Sequence, residues 1–193
     1  GTLQLNCSQN SHGIKLASPP HSAGQSYTLT FPQSISADTF LKTDGSGNLS
    51  FAAAGGAMTP AFEATIGSQQ NLTTGSYTKI VLATESFDTD SKYDASAGRF
   101  TPATAGKYFV YATVKIQYGG GAGNGQYIAI YKNGSLHRAA GIDGSTVDSH
   151  SVFATITFNT TDYVELYAYS ASNSANIANE TNRTVFGAYK IIE

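Results

Sequence analysis

Cys7 and His12 are a thiol and an imidazole close in sequence, a pairing that could supply a nucleophile and its base. They stand in a short stretch rich in Ser and Asn, with no third member and no evident oxyanion donor. A free, buried or incidental thiol is the simpler account. Glycoside hydrolysis needs two positioned carboxylates, and Glu63, Glu85 and Glu165 show no spacing that pairs them. The stretch DTDSKYD brings Asp88, Asp90 and Asp94 together, and oxygen-rich loops can hold calcium. It lacks the glycine and distal glutamate of the helix-loop-helix calcium pattern, so a surface turn is expected; Asp143 and Asp148 are treated alike. The histidines His12, His21, His137 and His150 are not spaced as metal pairs on a strand or a helix. Three copies of one histidine meeting on a symmetry axis would be the remaining route to a metal site. The run from Gly119 to Gly125 lacks the Gly-Lys-Ser/Thr ending of a phosphate loop. Flanked by Tyr118 and Tyr127, it reads as a hairpin tip, with Tyr118, Asn124 and Tyr127 as a candidate receptor contact. No catalytic group, cofactor or metal is therefore expected, and the chain is not expected to be an enzyme.

The composition narrows the partners. Charged residues are 12% of the chain, about half the usual share of roughly 25%. Ser, Thr, Asn, Gly and Ala take their place. The net charge is −2 and no basic run occurs, which argues against nucleic acid, whose binders cluster Lys and Arg against phosphates. No apolar run approaches the about 18 residues that span a bilayer, so membrane insertion is not expected. The first residues, GTLQLNCSQN, lack the basic and apolar regions of a secretory signal. A single cysteine allows no internal disulfide. Packing, or partners, must hold the chain together.

A change of composition at AAGGAMTP divides the sequence into residues 1–52, a linker at 53–59, and residues 60–193. In the first part, Tyr27 to Phe31 alternates apolar residues with Thr and predicts a strand. Residues 39–43 and 49–52 predict a strand pair around the turn Asp44-Gly45-Ser46-Gly47-Asn48. A segment this small cannot bury enough apolar surface alone. It is expected to borrow a core from neighbouring copies or from another protein.

The second part is patterned with period two. Tyr108, Val110, Ala112, Val114 and Ile116 fall on one face of a strand. Val152, Ala154, Ile156 and Phe158 do the same, as do Val164, Leu166 and Ala168. No segment offers a convincing helix, and many short strands predict a sandwich or barrel. Phe109 and Tyr111 take the phase that a solvated sheet would fill with polar residues. A second buried surface between copies is the expected account, since tyrosine suits interfaces, and a larger single core with tyrosines at its rim is the alternative. Phe109, Tyr111, Tyr167, Tyr169, Val185 and Tyr189 are expected to form one trimer seam.

The stretch YDASAGRFTPATAGKYFVY, with Phe87, Tyr93, Gly98-Arg99-Phe100, Ala105-Gly106 and Tyr108, resembles the complement globular head and its tumour-necrosis-factor-like relatives. Tyr131-Lys132-Asn133-Gly134 is similar to that family's Lys-Asn-Gly turn. Asp162-Tyr163-Val164-Glu165-Leu166 is similar to its penultimate core strand, and Phe186-Gly187-Ala188-Tyr189 to its closing strand. The likeness covers residues 60–193 and departs at Val110 and Ala112, where the family prefers aromatics. It implies an all-β C1q/TNF-like jelly-roll β-sandwich that assembles as a homotrimer, and leaves room for calcium. Residues 1–52, with SHGIKLASPPHSAGQSYTLTFP and TFLKTDGSGNLSF, resemble a segment of virion and tail-fibre proteins of tailed phages, notably marine ones.

Together these resemblances imply a non-enzymatic bacteriophage virion protein. It would be a trimeric tail fibre or spike at the particle surface, whose head binds a host surface glycan or outer-membrane protein. Residues 1–52 would join other virion proteins or continue a shaft. A capsid-decorating head fibre or cement protein, and a secreted recognition ligand of C1q/TNF type, are the alternatives.

Overall fold

The computed structural model describes residues 2–7, 12–24, 26–37, 39–53, 58–117, 125–142 and 149–192. The chain forms two compact units, residues 1–55 and 56–193.

The first unit holds two antiparallel pairs. Strand β1 (Thr2–Asn6) pairs with β2 (Gly13–Ala17), and β3 (Thr39–Thr43) with β4 (Leu49–Ala53). The turn before β4 is fastened by Asp44, whose carboxylate accepts from Ser46 N and Asn48 N at 2.8 and 3.1 Å. Gly45 and Gly47 take positive φ there, 83° and 96°, as the turn chemistry requires. The strand predicted over Tyr27 to Phe31 is absent. Only Thr30 makes a bridge, to Asn48. An alternating pattern needs a neighbour to complete a ladder, and the rest of this stretch has none among the described residues. The β1–β2 hairpin was not anticipated. Cys7 N donates to His12 O at 2.8 Å, so the two residues singled out as a reactive pair close its end through their backbones.

The second unit is the predicted sandwich. Its strands are β5 (Ala61–Thr65), β6 (Gln70–Asn71), β7 (Thr78–Ile80), β8 (Thr84–Asp88), β9 (Tyr93–Asp94), β10 (Arg99–Phe100), β11 (Gly106–Gln117), β12 (Gln126–Lys132), β13 (Ser135–Ile142), β14 (Ser149–Phe158), β15 (Val164–Ser170), β16 (Asn176–Ile177) and β17 (Val185–Ile192). One sheet runs β14-β11-β17-β5-β8, with β16 and β6 continuing from the far end of β11. The other runs β13-β12-β15-β10-β9, with β7 beside β15. Every pair is antiparallel. The sole helical element among the described residues is a 3₁₀ turn, His21–Ala23.

The buried phases lie where the alternation puts them. Tyr108, Val110, Ala112, Val114 and Ile116 are buried on β11, Val152 to Phe158 in alternation on β14, and Val164, Leu166 and Ala168 on β15. An aromatic stack forms one end of this core. Phe62 lies against Tyr93, Phe100 and Phe186 at centroid distances of 4.4, 4.5 and 5.1 Å. Tyr108 extends it to Phe158 at 5.1 Å. The Tyr93 hydroxyl donates to Leu82 O at 2.8 Å, which lets a phenol be buried at little cost.

Two motifs remote in sequence meet at the β12–β13 turn. Asn133 and Gly134 take positive φ, 51° and 77°. Asn133 Nδ2 donates to Asp162 Oδ1 at 2.7 Å, and Tyr163 N donates to Asn133 Oδ1 at 2.9 Å. Lys132 Nζ lies 2.8 Å from Asp162 Oδ2. The bond from Asn159 N, then those from Lys132 and Asn133, hold the Asp162 carboxyl down at about 2. A carboxyl whose folded value is depressed contributes stability above its unfolded value, near 4, and loses it as pH falls through the folded one. Stability to urea should therefore decline from pH 4 to pH 2 more steeply in the native protein than in Asp162→Asn. The variant should already be weaker at pH 7 by about 1–3 kcal/mol. Equal slopes in the two proteins would remove Asp162 from this role.

Candidate functional site

The outward faces of the two sheets carry the side chains that an ordinary sandwich would not expose. On the first sheet the pleat that buries Tyr108 and Val110 turns Phe109 and Tyr111 outward. Ladder register then sets one row across five strands: Phe153, Tyr111, Gly187, Glu63 and Phe87. The next row places Phe109 beside Tyr189. The Phe109 ring centroid lies 6.0 Å from Tyr111, 6.2 Å from Phe153 and 5.6 Å from Tyr189. Phe153 is 65% exposed and Phe87 46%. Val185 sits at the polar margin of the same face, opposite Thr113 and Thr65.

Tyr111 is the hinge of this patch. Its ring and hydroxyl lie over Gly187 and leave no room for an added Cβ. Its hydroxyl donates to Glu63 Oε2 at 2.8 Å. Burial first, and then the bond to Glu63, push the phenol well above its ordinary range. It stays a neutral donor at physiological pH.

The second sheet presents tyrosine without phenylalanine. Tyr127 faces Tyr169 across β12 and β15, and Ala129 faces Tyr167. Tyr131 stacks on Tyr167 at 4.1 Å. Tyr77, just before β7, touches Tyr131 at 5.8 Å and Tyr169 at 5.4 Å, and Tyr127 touches Tyr169 at 5.8 Å. The five rings are continuous and half-buried, around a floor made by the fully buried Ala129. At the margin, Glu165 receives Lys79 Nζ at 2.6 Å and Arg99 Nη2 at 2.8 Å on one oxygen. Burial alone would raise this carboxyl, but the bonds from Lys79 and Arg99 outweigh it and hold it below the ordinary value. Arg99 also lies over the Tyr163 ring, 3.9 Å from its centroid.

The six residues expected in one seam are thus divided. Phe109, Tyr111, Val185 and Tyr189 share the first sheet, whereas Tyr167 and Tyr169 belong to the second and join Tyr127. Period two assigns a face of a strand but not the sheet to which the strand belongs. Phe153, Glu63, Tyr131 and Tyr77 were missed. Phe153 had a signal: it is the one aromatic in the exposed phase of Ser151, Phe153, Thr155 and Thr157. Tyr118, Asn124, Asp143 and Asp148 lie outside the described residues. Asp88 and Asp94 act as turn acceptors, for Tyr93 N at 2.7 Å and for Ser96 N and Ala97 N at 3.0 Å each. Glu165 has cationic neighbours and no carboxylate beside it, while Glu63 lies on the other sheet. His150 is buried and bridges the sheets through Gln126, 3.0 Å away. No cluster of metal-binding side chains occurs among the described residues.

Solved structures share this architecture. Murine APRIL at pH 5.0 matches with a TM-score of 0.54 at 10% identity, over 68% of this chain and 98% of that one. The globular domain of zebrafish complement 1qA matches at 0.50 and 16% identity, over 69% and 98%. The fold is a C1q/TNF-like jelly roll. No protein-family model and no curated protein sequence matches the chain. At these identities the likeness concerns the backbone.

The Tyr111 ring over Gly187 yields a coupled pair. Gly187→Ala should cost about 1–3 kcal/mol by forcing the ring aside. In a Tyr111→Ala background the same change should cost less than half as much. Urea unfolding of the four proteins measures it, and an unchanged cost would mean the ring does not occupy that space.

Proposed function

We propose that the chain is a non-enzymatic bacteriophage virion protein, a trimeric tail fibre or spike whose head attaches to a host surface glycan. The observation that carries this reading is the chemical difference between the two outward faces. The Phe109, Tyr111, Phe153 and Tyr189 face combines phenylalanine with ring area, the composition of a protein–protein seam. The resemblance to C1q/TNF-like heads implies a trimer, and this face supplies the surface for it. The aromatic rings of the second sheet's outward face are all tyrosines, with Leu136 beside Tyr131; such rings stack on the apolar faces of sugars while their hydroxyls meet sugar hydroxyls. Rigid strands hold these rings in place, as a binding platform requires. Tyr127, the described member of the candidate receptor loop, belongs to that platform.

The particle location is supported by the likeness of residues 1–52 to tail-fibre segments. These residues would join other virion proteins or continue a shaft. The jelly-roll likeness to APRIL favours a second reading, a secreted recognition ligand. It predicts binding to a receptor on animal cells in place of bacterial envelope sugars.

Two measurements separate the faces. The native chain should sediment as a trimer at micromolar concentration and Tyr111→Asp as a monomer, because three carboxylates would be added to the seam beside those of Glu63. A trimer retained in Tyr111→Asp would place the seam elsewhere. On an array of bacterial surface polysaccharides, Tyr167→Ala should keep the trimer mass and lose about tenfold in affinity, worth about 1.4 kcal/mol per site. Undiminished binding would remove the tyrosine face from recognition.

A further inference from the structure

Residues 1–55 form strands without forming a core. Ten of their twelve large apolar side chains are exposed: only Leu49 and Phe51 escape that class, and neither is fully buried. The β1–β2 hairpin is the clearest case. Leu3 pairs with Leu16 and Leu5 with Ile14, so all four point to one face. They are 59, 55, 56 and 71% exposed. The other face carries Gln4, Asn6 and Lys15. A two-stranded hairpin of this kind is marginal in water at best and needs a hydrophobic partner.

We infer that this partner is the same segment of the other copies: the apolar β1–β2 faces of three chains close on one another as the shared core of a shaft. The inference rests on the trimer proposed above. Three arguments select copies of the chain over a different protein. The face consists of four aliphatic side chains with no charge or hydrogen-bonding group, so identical faces suit each other without further matching. The exposed apolar residues also recur along the segment, at Tyr27, Leu29 and Phe31 and again at Phe40 and Leu41. A partner docking at one place would cover one of these stripes, whereas copies running together about a common axis can cover one face at each of them, Phe40 or Leu41 on β3 included. The area is that of a supporting contact. If each of the four side chains loses roughly 100 Å², three copies hide on the order of 1,200 Å², roughly 400 Å² per pair, which adds to the contact between heads rather than replacing it, since a specific pairwise interface needs about 1,000 Å². A trimeric head would hold the three segments at high effective concentration.

The full chain tests this by amide hydrogen exchange read alongside sedimentation. The native protein should be a trimer whose residue 2–6 and 13–17 amides exchange at least about a hundredfold more slowly than free peptide. In Leu5→Asp/Ile14→Asp that protection should vanish while the trimer mass remains, held by the heads. With Cys7 replaced by Ser, Leu5→Cys should form covalent dimers under mild oxidation and Gln4→Cys, on the polar face, should not. A native trimer with unprotected β1 and β2, or with equal cross-linking from both faces, overturns the shared core and leaves the trimeric head standing. Protection that arises only after other virion proteins are added also overturns it. A monomeric native protein removes the trimer itself, and this inference with it.

Discussion

Phe62 is the contact on which the head depends. It stands on β5 in the first sheet and stacks at 4.4 and 4.5 Å on Tyr93 and Phe100, which belong to β9 and β10 of the second. Two twisted sheets can slide or splay unless side chains from both interlock between them. This stack, continued through Phe186, Tyr108 and Phe158, joins strands from the start, middle and end of the domain. Burying such rings stabilises by roughly 1.5–3 kcal/mol each. With the interior filled in this way, the outward-facing residues need not contribute to the core and are free for other work.

Both faces use the same device to hold large rings on a sheet. Tyr111 covers Gly187 on the neighbouring strand, and Tyr127 lies beside Gly141, where an added Cβ would meet the Gln126 carbonyl oxygen first and then the Tyr127 ring. A glycine in a strand loses packing and order; a cross-strand aromatic restores both and is itself pressed flat against the sheet. The faces differ in what surrounds the ring. Tyr111 has phenylalanines and a carboxylate, whereas Tyr127 continues into Tyr169 and Tyr77. One backbone arrangement thus presents two different chemistries on opposite faces of one sandwich.

Much of the head was legible because its strands are long and one-sided. The alternation in β11, β14 and β15 names their buried residues one by one, and the spaced motifs around Gly98-Arg99-Phe100 and Asp162 to Leu166 name the architecture. What was not legible concerns pairing. Tyr167 and Tyr169 alternate as cleanly as Phe109 and Tyr111, yet nothing in a strand's own pattern says which sheet it joins. The same gap explains Tyr27 to Phe31, which has the alternation of a strand and only a single bridge, at Thr30. It also explains β1 and β2. Each is five residues long, and the stretch between them contains polar residues and no tight-turn signature, so their register is visible only in the folded hairpin.

The contrast between the two units is a matter of where burial can be found. The head has enough residues to enclose a core at low charge content, because its apolar residues are arranged in facing rows. Residues 1–55 have apolar residues in similar alternation but too few strands to turn them inward, since a hairpin has two faces and nothing of its own to lay over either. Chain entropy of about 1–2 kcal/mol per ordered residue must still be offset. Exposed leucines and isoleucines cannot supply that within one copy. The ordered strands of this unit therefore require apolar surface from outside the unit itself.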